Sequence, residues 1–187
     1  MRLSEQKLAL RLLVPACANL LLTLIVAVHP AMAADPAPED VVKAAVVFKL
    51  TKFVEWPASI FESSATKLQI CALGDTPVSE ALEVVEGRIT QQREVEFVRV
   101  STASDASGCH LLFFGKRAAS RLRSLLDAQA ESGVLTVSDS AGFANNGGIV
   151  ELTRRGTRLG FRVNVNNARR AGLTVSAPLL ELAEIVE

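Results

Sequence analysis

Apolar residues recur along this chain in two rhythms, one near four residues and one near two, and the switches between them predict its elements. Val41 to Trp56 reads VVKAAVVFKLTKFVEW, with Val42, Ala45, Val46, Lys49 and Phe53 on one helical stripe and Val41, Ala44 and Phe48 beside it. That width predicts a helix buried on two sides, with its lysine stems reaching outward and Pro57 ending it. Leu68 to Leu73 then reads as a strand, Val78 to Glu86 as a helix opened by Thr76 and Pro77, and Glu94 to Val100 as an alternating strand. Cys109 to Phe114 is a continuous apolar run, the mark of a strand covered on both faces. Lys116 to Glu131 carries Ala118, Leu122, Leu125, Leu126 and Ala130 at helical spacing, and Val134 to Ser138 is a fourth strand. Strands and helices alternating at short spacing predict one α/β domain, with a mostly parallel sheet and helices on both faces.

The C-terminal stretch breaks that alternation. Gly142 to Gly148 is a glycine-rich turn. Strands follow at Ile149 to Leu152 and Leu159 to Val165, joined by a polar turn over Thr153 to Thr157, and predict an antiparallel hairpin at the edge of the sheet. A basic helical turn, Asn166 to Ala171, stops at Gly172, and Ser176 and Pro178 open a last helix, Leu179 to Val186.

The first residues carry a different signal. Arg2, Lys7 and Arg11 precede an apolar stretch, Leu12 to Val28, and Ala31-Met32-Ala33 is a small-residue cleavage pattern. Residues 1–33 therefore read as an export signal cleaved after Ala33, an uncleaved membrane anchor being the alternative. Residues 34–40 form a polar leader, and the domain occupies 41–187. Cys17 leaves with the signal, so Cys71 and Cys109 remain. Two cysteines in an exported chain read as one disulfide, worth about 4 kcal/mol by loop closure, or else as two buried thiols.

Composition narrows the function. The chain has 187 residues, 49% of them hydrophobic, and zero formal net charge. No basic excess exists to neutralise phosphates, and without tyrosine there is little to stack bases on, so nucleic acid is not an expected partner. The exported portion has one histidine, His110, which reads as structural more readily than as a base, and no cluster suited to zinc or to any other metal. Gly142 and Gly147 have P-loop spacing, but Gly148 stands where lysine is needed. No acid–base pair can be placed, so the chain is read as a non-enzyme without cofactor.

Two groups of residues could bind something. Arg154, Arg155 and Arg158 on the hairpin, with Arg169 and Arg170 on the basic turn, could grip acidic groups on a partner, or could face solvent paired to Glu151 or Glu181. Trp56 is either a partner anchor or a cap on the core. A pocket for a small ligand is expected at the carboxyl ends of the strands, near Ser138, Asp139, Gly147 and Gly148, where a backbone nest could hold an anion. A small-molecule sensor is therefore the alternative to a protein-binding regulator.

Val42 to Pro57 resembles the first helix of the YfiR family of periplasmic proteins. Leu135 to Asp139, Gly142-Phe143, Gly147-Gly148, Phe161 to Val165, Ala168 to Leu173 and Ser176 to Ala183 continue the likeness in order. The resemblance implies a periplasmic regulator that forms a homodimer. It implies binding to the periplasmic part of an inner-membrane diguanylate cyclase, or another membrane sensor, which is held inactive. Release raises cyclic-di-GMP and favours biofilm growth, and an outer-membrane lipoprotein can sequester the repressor. Cys71 and Cys109 match a family cysteine pair, and redox state affects folding in the family. A second pair found in some members is replaced here by Ala144 and Leu152. Phe48 to Thr51 depart from the family's first helix.

Overall fold

The computed structural model describes residues 38–102, 104–115, 122–156 and 158–187. The expected signal and most of the leader lie outside these residues, as do 116–121 of the expected third helix. Among the described residues ten strands and five α-helices follow in order. They are α1 (Glu39–Leu50), β1 (Val54–Glu55), β2 (Leu68–Leu73), α2 (Pro77–Ala81), β3 (Ile89–Thr90), β4 (Arg93–Val100), β5 (Leu111–Phe114), α3 (Leu122–Gln129), β6 (Leu135–Ser138), β7 (Val150–Arg155), β8 (Arg158–Asn164), α4 (Val165–Arg170), β9 (Thr174–Val175), α5 (Ala177–Leu182) and β10 (Glu184–Val186).

Eight strands form one mixed sheet in the order β10-β8-β7-β6-β5-β2-β4-β3. The run from β7 through β6, β5 and β2 to β4 is parallel throughout. The β7–β8 pair is the expected antiparallel hairpin. The mostly parallel α/β domain read from the sequence is therefore the fold.

Alternation along the strands sorts side chains into two layers. Leu68, Ile70, Leu111, Phe113, Leu135 and Val137 join Ala44, Val47 and Leu50 of α1 and Val78 of α2 on one face. Cys71, Leu73, Leu112 and Phe114 join Leu126 of α3 and Phe143 on the other. Burying each of the larger side chains contributes roughly 1.5–3 kcal/mol, so both layers are needed to hold the sheet.

The first helix differs from its expected form in face and in length. Its buried side is Lys43, Ala44, Val47 and Leu50, while Val41 and Val42 are exposed. One face is buried rather than two, and Lys43 points inward because an acid awaits it there. The helix stops at Leu50, before Pro57. The Thr51 hydroxyl donates to the Phe48 carbonyl at 2.6 Å, and the Gln91 amide donates to the carbonyls of Thr51 and Val54 at 2.6 and 2.7 Å. These bonds take carbonyls that a continued helix would use. The backbone is freed to extend, so Val54 and Glu55 pair antiparallel with β9. Gln91 and Gln92 adopt positive φ, 48° and 61°, to make the β3–β4 turn that delivers that amide.

The expected last helix is also shorter. After α5, residues Glu184 to Val186 lie parallel to β8 as a new outer strand. Two β-branched residues, Ile185 and Val186, sit beside an unpaired sheet edge, and pairing there satisfies more backbone groups than another helical turn would.

Candidate functional site

The carboxyl end of β6 is occupied by the chain itself. The Ser138 hydroxyl, fully buried, donates to the Phe114 carbonyl at 2.8 Å and accepts from the Ser140 N–H at 3.0 Å. Asp139 meets the Lys43 ammonium at 2.9 Å, and Glu39 approaches the same ammonium at 3.1 Å. Burial alone would push the Lys43 pKa down, but hydrogen bonds to Asp139 and Glu39 outweigh it and hold the pKa above the ordinary lysine value.

The glycine loop is likewise filled from within. Glu151, 4% exposed on β7, accepts the N–H of Gly142 at 3.0 Å and of Ala144 at 3.2 Å. The loop does present N–H groups to an anion, and that anion is a side chain of this chain. Gly147 turns the backbone at φ 106°, and a Cβ on Gly148 would stand 2.1 Å from the Phe143 ring. Both glycines therefore have packing reasons. The crevice beside Gly147 holds about 10 Å³, room for a single water.

The arginines divide into two groups. Arg154, Arg155 and Arg158 crowd the tip of the β7–β8 hairpin, where Arg155 and Arg158 face each other in register. Arg169 and Arg170 end α4, beyond the far end of β8. Six residue steps along β8 separate the two ends by about 20 Å, so the five do not form one cluster. Arg154 pairs with Glu39. Arg155 and Arg162 both hold Glu184, the latter at 2.9 Å. Hydrogen bonds from Arg162 and then Arg155 keep the Glu184 carboxyl below the usual range. Among the described residues the acids are thus Glu39 and Glu184, and Glu151 is reached by Arg162 at 4.0 Å. Leu182, 76% exposed, and Ile185, 45% exposed, flank Glu184 in sequence, and Ile185 lies in register with Val163 near the far end of β8.

Cys71 and Cys109 are joined in a disulfide, with Cα atoms 5.9 Å apart. It ties β2 to the segment entering its neighbour β5. Trp56 is 8% exposed and lies in the core, its indole N–H donating to the His110 carbonyl at 3.2 Å. His110, 5% exposed, accepts the Gln69 N–H at Nδ1, 3.0 Å away. Its ring stacks on Phe61 with centroids 4.7 Å apart, and the Arg93 guanidinium covers the other side of Phe61. Burial, and secondarily the Arg93 charge, lower the His110 pKa to about 4, so the ring is neutral at ordinary pH. Next to it, at the amino ends of β2, β5 and β6, opens a groove of about 570 Å³. The sequence reading did not locate this groove, because it is built from loops distant in the chain. Among the described residues no group of side chains is arranged to hold a metal ion.

A family model described as YfiR/HmsC-like matches residues 40–184. The chain belongs to the YfiR/HmsC-like family. Among the described residues no helix is long and apolar enough to cross a membrane. No curated protein matches the chain. Among solved structures, a conserved domain protein from Vibrio cholerae O1 biovar El Tor is similar at a TM-score of 0.56 and 9% identity, over 80% of this chain and 60% of that one. This likeness shows the fold alone, and the YfiR/HmsC-like chain spans 60% of that protein's length. The ABC domain from Streptococcus pneumonia in complex with L-Trp aligns at a TM-score of 0.46 and 12% identity, over 64% of this chain and 56% of that one.

Proposed function

We propose that this protein is a periplasmic repressor that docks on the periplasmic domain of an inner-membrane diguanylate cyclase and lowers its output of cyclic-di-GMP. Its docking surface is the β8–β10 edge. The observation that carries the reading is the apolar pair Leu182 and Ile185, exposed at 76% and 45% on either side in sequence of Glu184, the carboxylate that Arg155 and Arg162 hold. An exposed apolar patch rimmed by arginine is the composition of an interface core and its rim. Arg154, Arg155 and Arg158 are exposed, and Arg158 forms no ion pair with any described residue, which leaves it open to a partner carboxylate. Arg169 and Arg170 lie outside this surface, and Trp56 supports it only through the core. The exported chain begins at residue 34, acts as a homodimer, and is released when an outer-membrane lipoprotein takes it up.

The test is capture from gently solubilised membranes with the exported protein as bait. Recovery of an inner-membrane protein with a cytoplasmic cyclase domain supports the proposal. Recovery of a membrane sensor of another kind overturns the cyclase assignment, and recovery of no membrane protein overturns the repressor reading.

A further inference from the structure

The groove at the amino ends of β2, β5 and β6 is unrelated to the arginine edge, and it presents buried polar groups that the fold does not use. His110 is 5% exposed and lines the groove. Its Nδ1 accepts the Gln69 N–H, so the neutral ring carries its proton on Nε2, on the other side of the imidazole. No described residue accepts that proton, and Nε2 is not sealed from solvent. It therefore opens into the groove. Gln129, 8% exposed at the groove wall, accepts the Ser132 hydroxyl at its carbonyl oxygen, and its amide N–H groups meet no acceptor among the described residues. The buried end of the groove thus offers donors and asks for oxygen acceptors.

The rim has the opposite character. Glu62 lines it and forms no ion pair with any described residue. Glu96 accepts the Gln69 amide at 2.8 Å and forms no salt bridge with any described residue. Lys67 also lines the rim, and its ammonium is held by Glu94 at 2.7 Å, which leaves the rim with an excess of carboxylate. Two carboxylates at the mouth favour a cation and repel anions. Ile60 and Val134 supply an apolar wall, and the volume of about 570 Å³ suits a small molecule.

We propose that this groove binds a small hydroxylated amine, an amino sugar or amino alcohol, whose ammonium meets Glu62 and Glu96 while its oxygens accept from His110 Nε2 and the Gln129 amide. Such a ligand suits both ends: its ammonium is drawn to the carboxylates at the mouth, and its oxygens accept from the donors at the inner end. The single tryptophan reports on the site, because the Trp56 indole is bonded to the His110 carbonyl.

The exported protein is titrated with D-glucosamine and with ethanolamine, following Trp56 emission, against D-glucose and D-gluconate. The expected result is a saturable change with the amines, binding about tenfold weaker for glucose, and none for gluconate. Glu62→Gln, an exchange at the exposed rim, brings glucosamine close to the glucose level, and His110→Gln weakens both. Three results overturn the proposal. One is no saturable change with either amine. Another is equal binding of gluconate. The third is glucosamine binding that Glu62→Gln leaves unchanged; this variant keeps the test decisive should His110→Gln fold poorly.

Discussion

The Lys43 ammonium lies 2.9 Å from the Asp139 carboxylate across 96 positions of sequence, with both side chains largely buried. It pins the amino-terminal half of α1 to the loop leaving β6. Glu39 extends the chain of charge to Arg154 on the hairpin. One ion network therefore joins the first helix, the end of the central strands and the proposed docking edge. Lys43→Met removes the cation placed against a buried carboxylate, and the expected loss is about 2–4 kcal/mol. Urea unfolding of the variant measures it. A loss below about 0.5 kcal/mol, the scale of an exposed pair, would contradict the burial argument.

Cys71 and Cys109 close a loop with a sequence separation of 38. Cross-linking a loop of that length removes entropy from the unfolded chain worth about 4 kcal/mol, an upper figure for real bridges. Cys71→Ser is expected to lower the melting temperature under oxidising conditions, and reductant should lower the wild type to match. Identical melting curves for wild type and variant without reductant would contradict a stabilising bridge.

His110 gives stability a pH dependence whose sign follows from its burial. Its folded pKa is about 4, against 6.5 for the free side chain. Between these values the unfolded chain binds more protons, so stability is complete above pH 6.5 and falls as pH drops toward 4. The full difference is about 3 kcal/mol. His110→Gln is expected to flatten the acid limb over this window, read as the difference between the unfolding free energies of wild type and variant at each pH. Parallel curves would contradict a buried neutral imidazole.

Periodicity made the central sheet legible, because β2, β5 and β6 are buried on both faces and their apolar runs have no competing reading. It misplaced the ends of α1 and α5, where the pattern suits helix and strand equally. There, distant partners decide: the Gln91 amide under Thr51, and the β8 edge beside Ile185. Glu151 carried a signal that could have been used. It is an acid inside the apolar run Ile149 to Leu152, placed just after a loop rich in free N–H groups, and an inward carboxylate accounts for both. Lys43 gave a weaker hint, since nothing local distinguishes it from Lys49. The groove was not legible at all, since its walls are brought together only by the sheet order and by the disulfide.

The docking surface is tested most directly by titrating the protein with the periplasmic domain of its membrane cyclase. Leu182→Asp with Arg158→Glu changes two exposed side chains of the β8–β10 edge, and Arg169→Glu with Arg170→Glu changes the last turn of α4, beyond the far end of β8. The account predicts that the edge variant, still folded by its melting curve, binds at least about tenfold more weakly. It predicts that the far-end variant stays within about twofold of wild type, the scale of a rim charge. Wild-type affinity in the folded edge variant would contradict it.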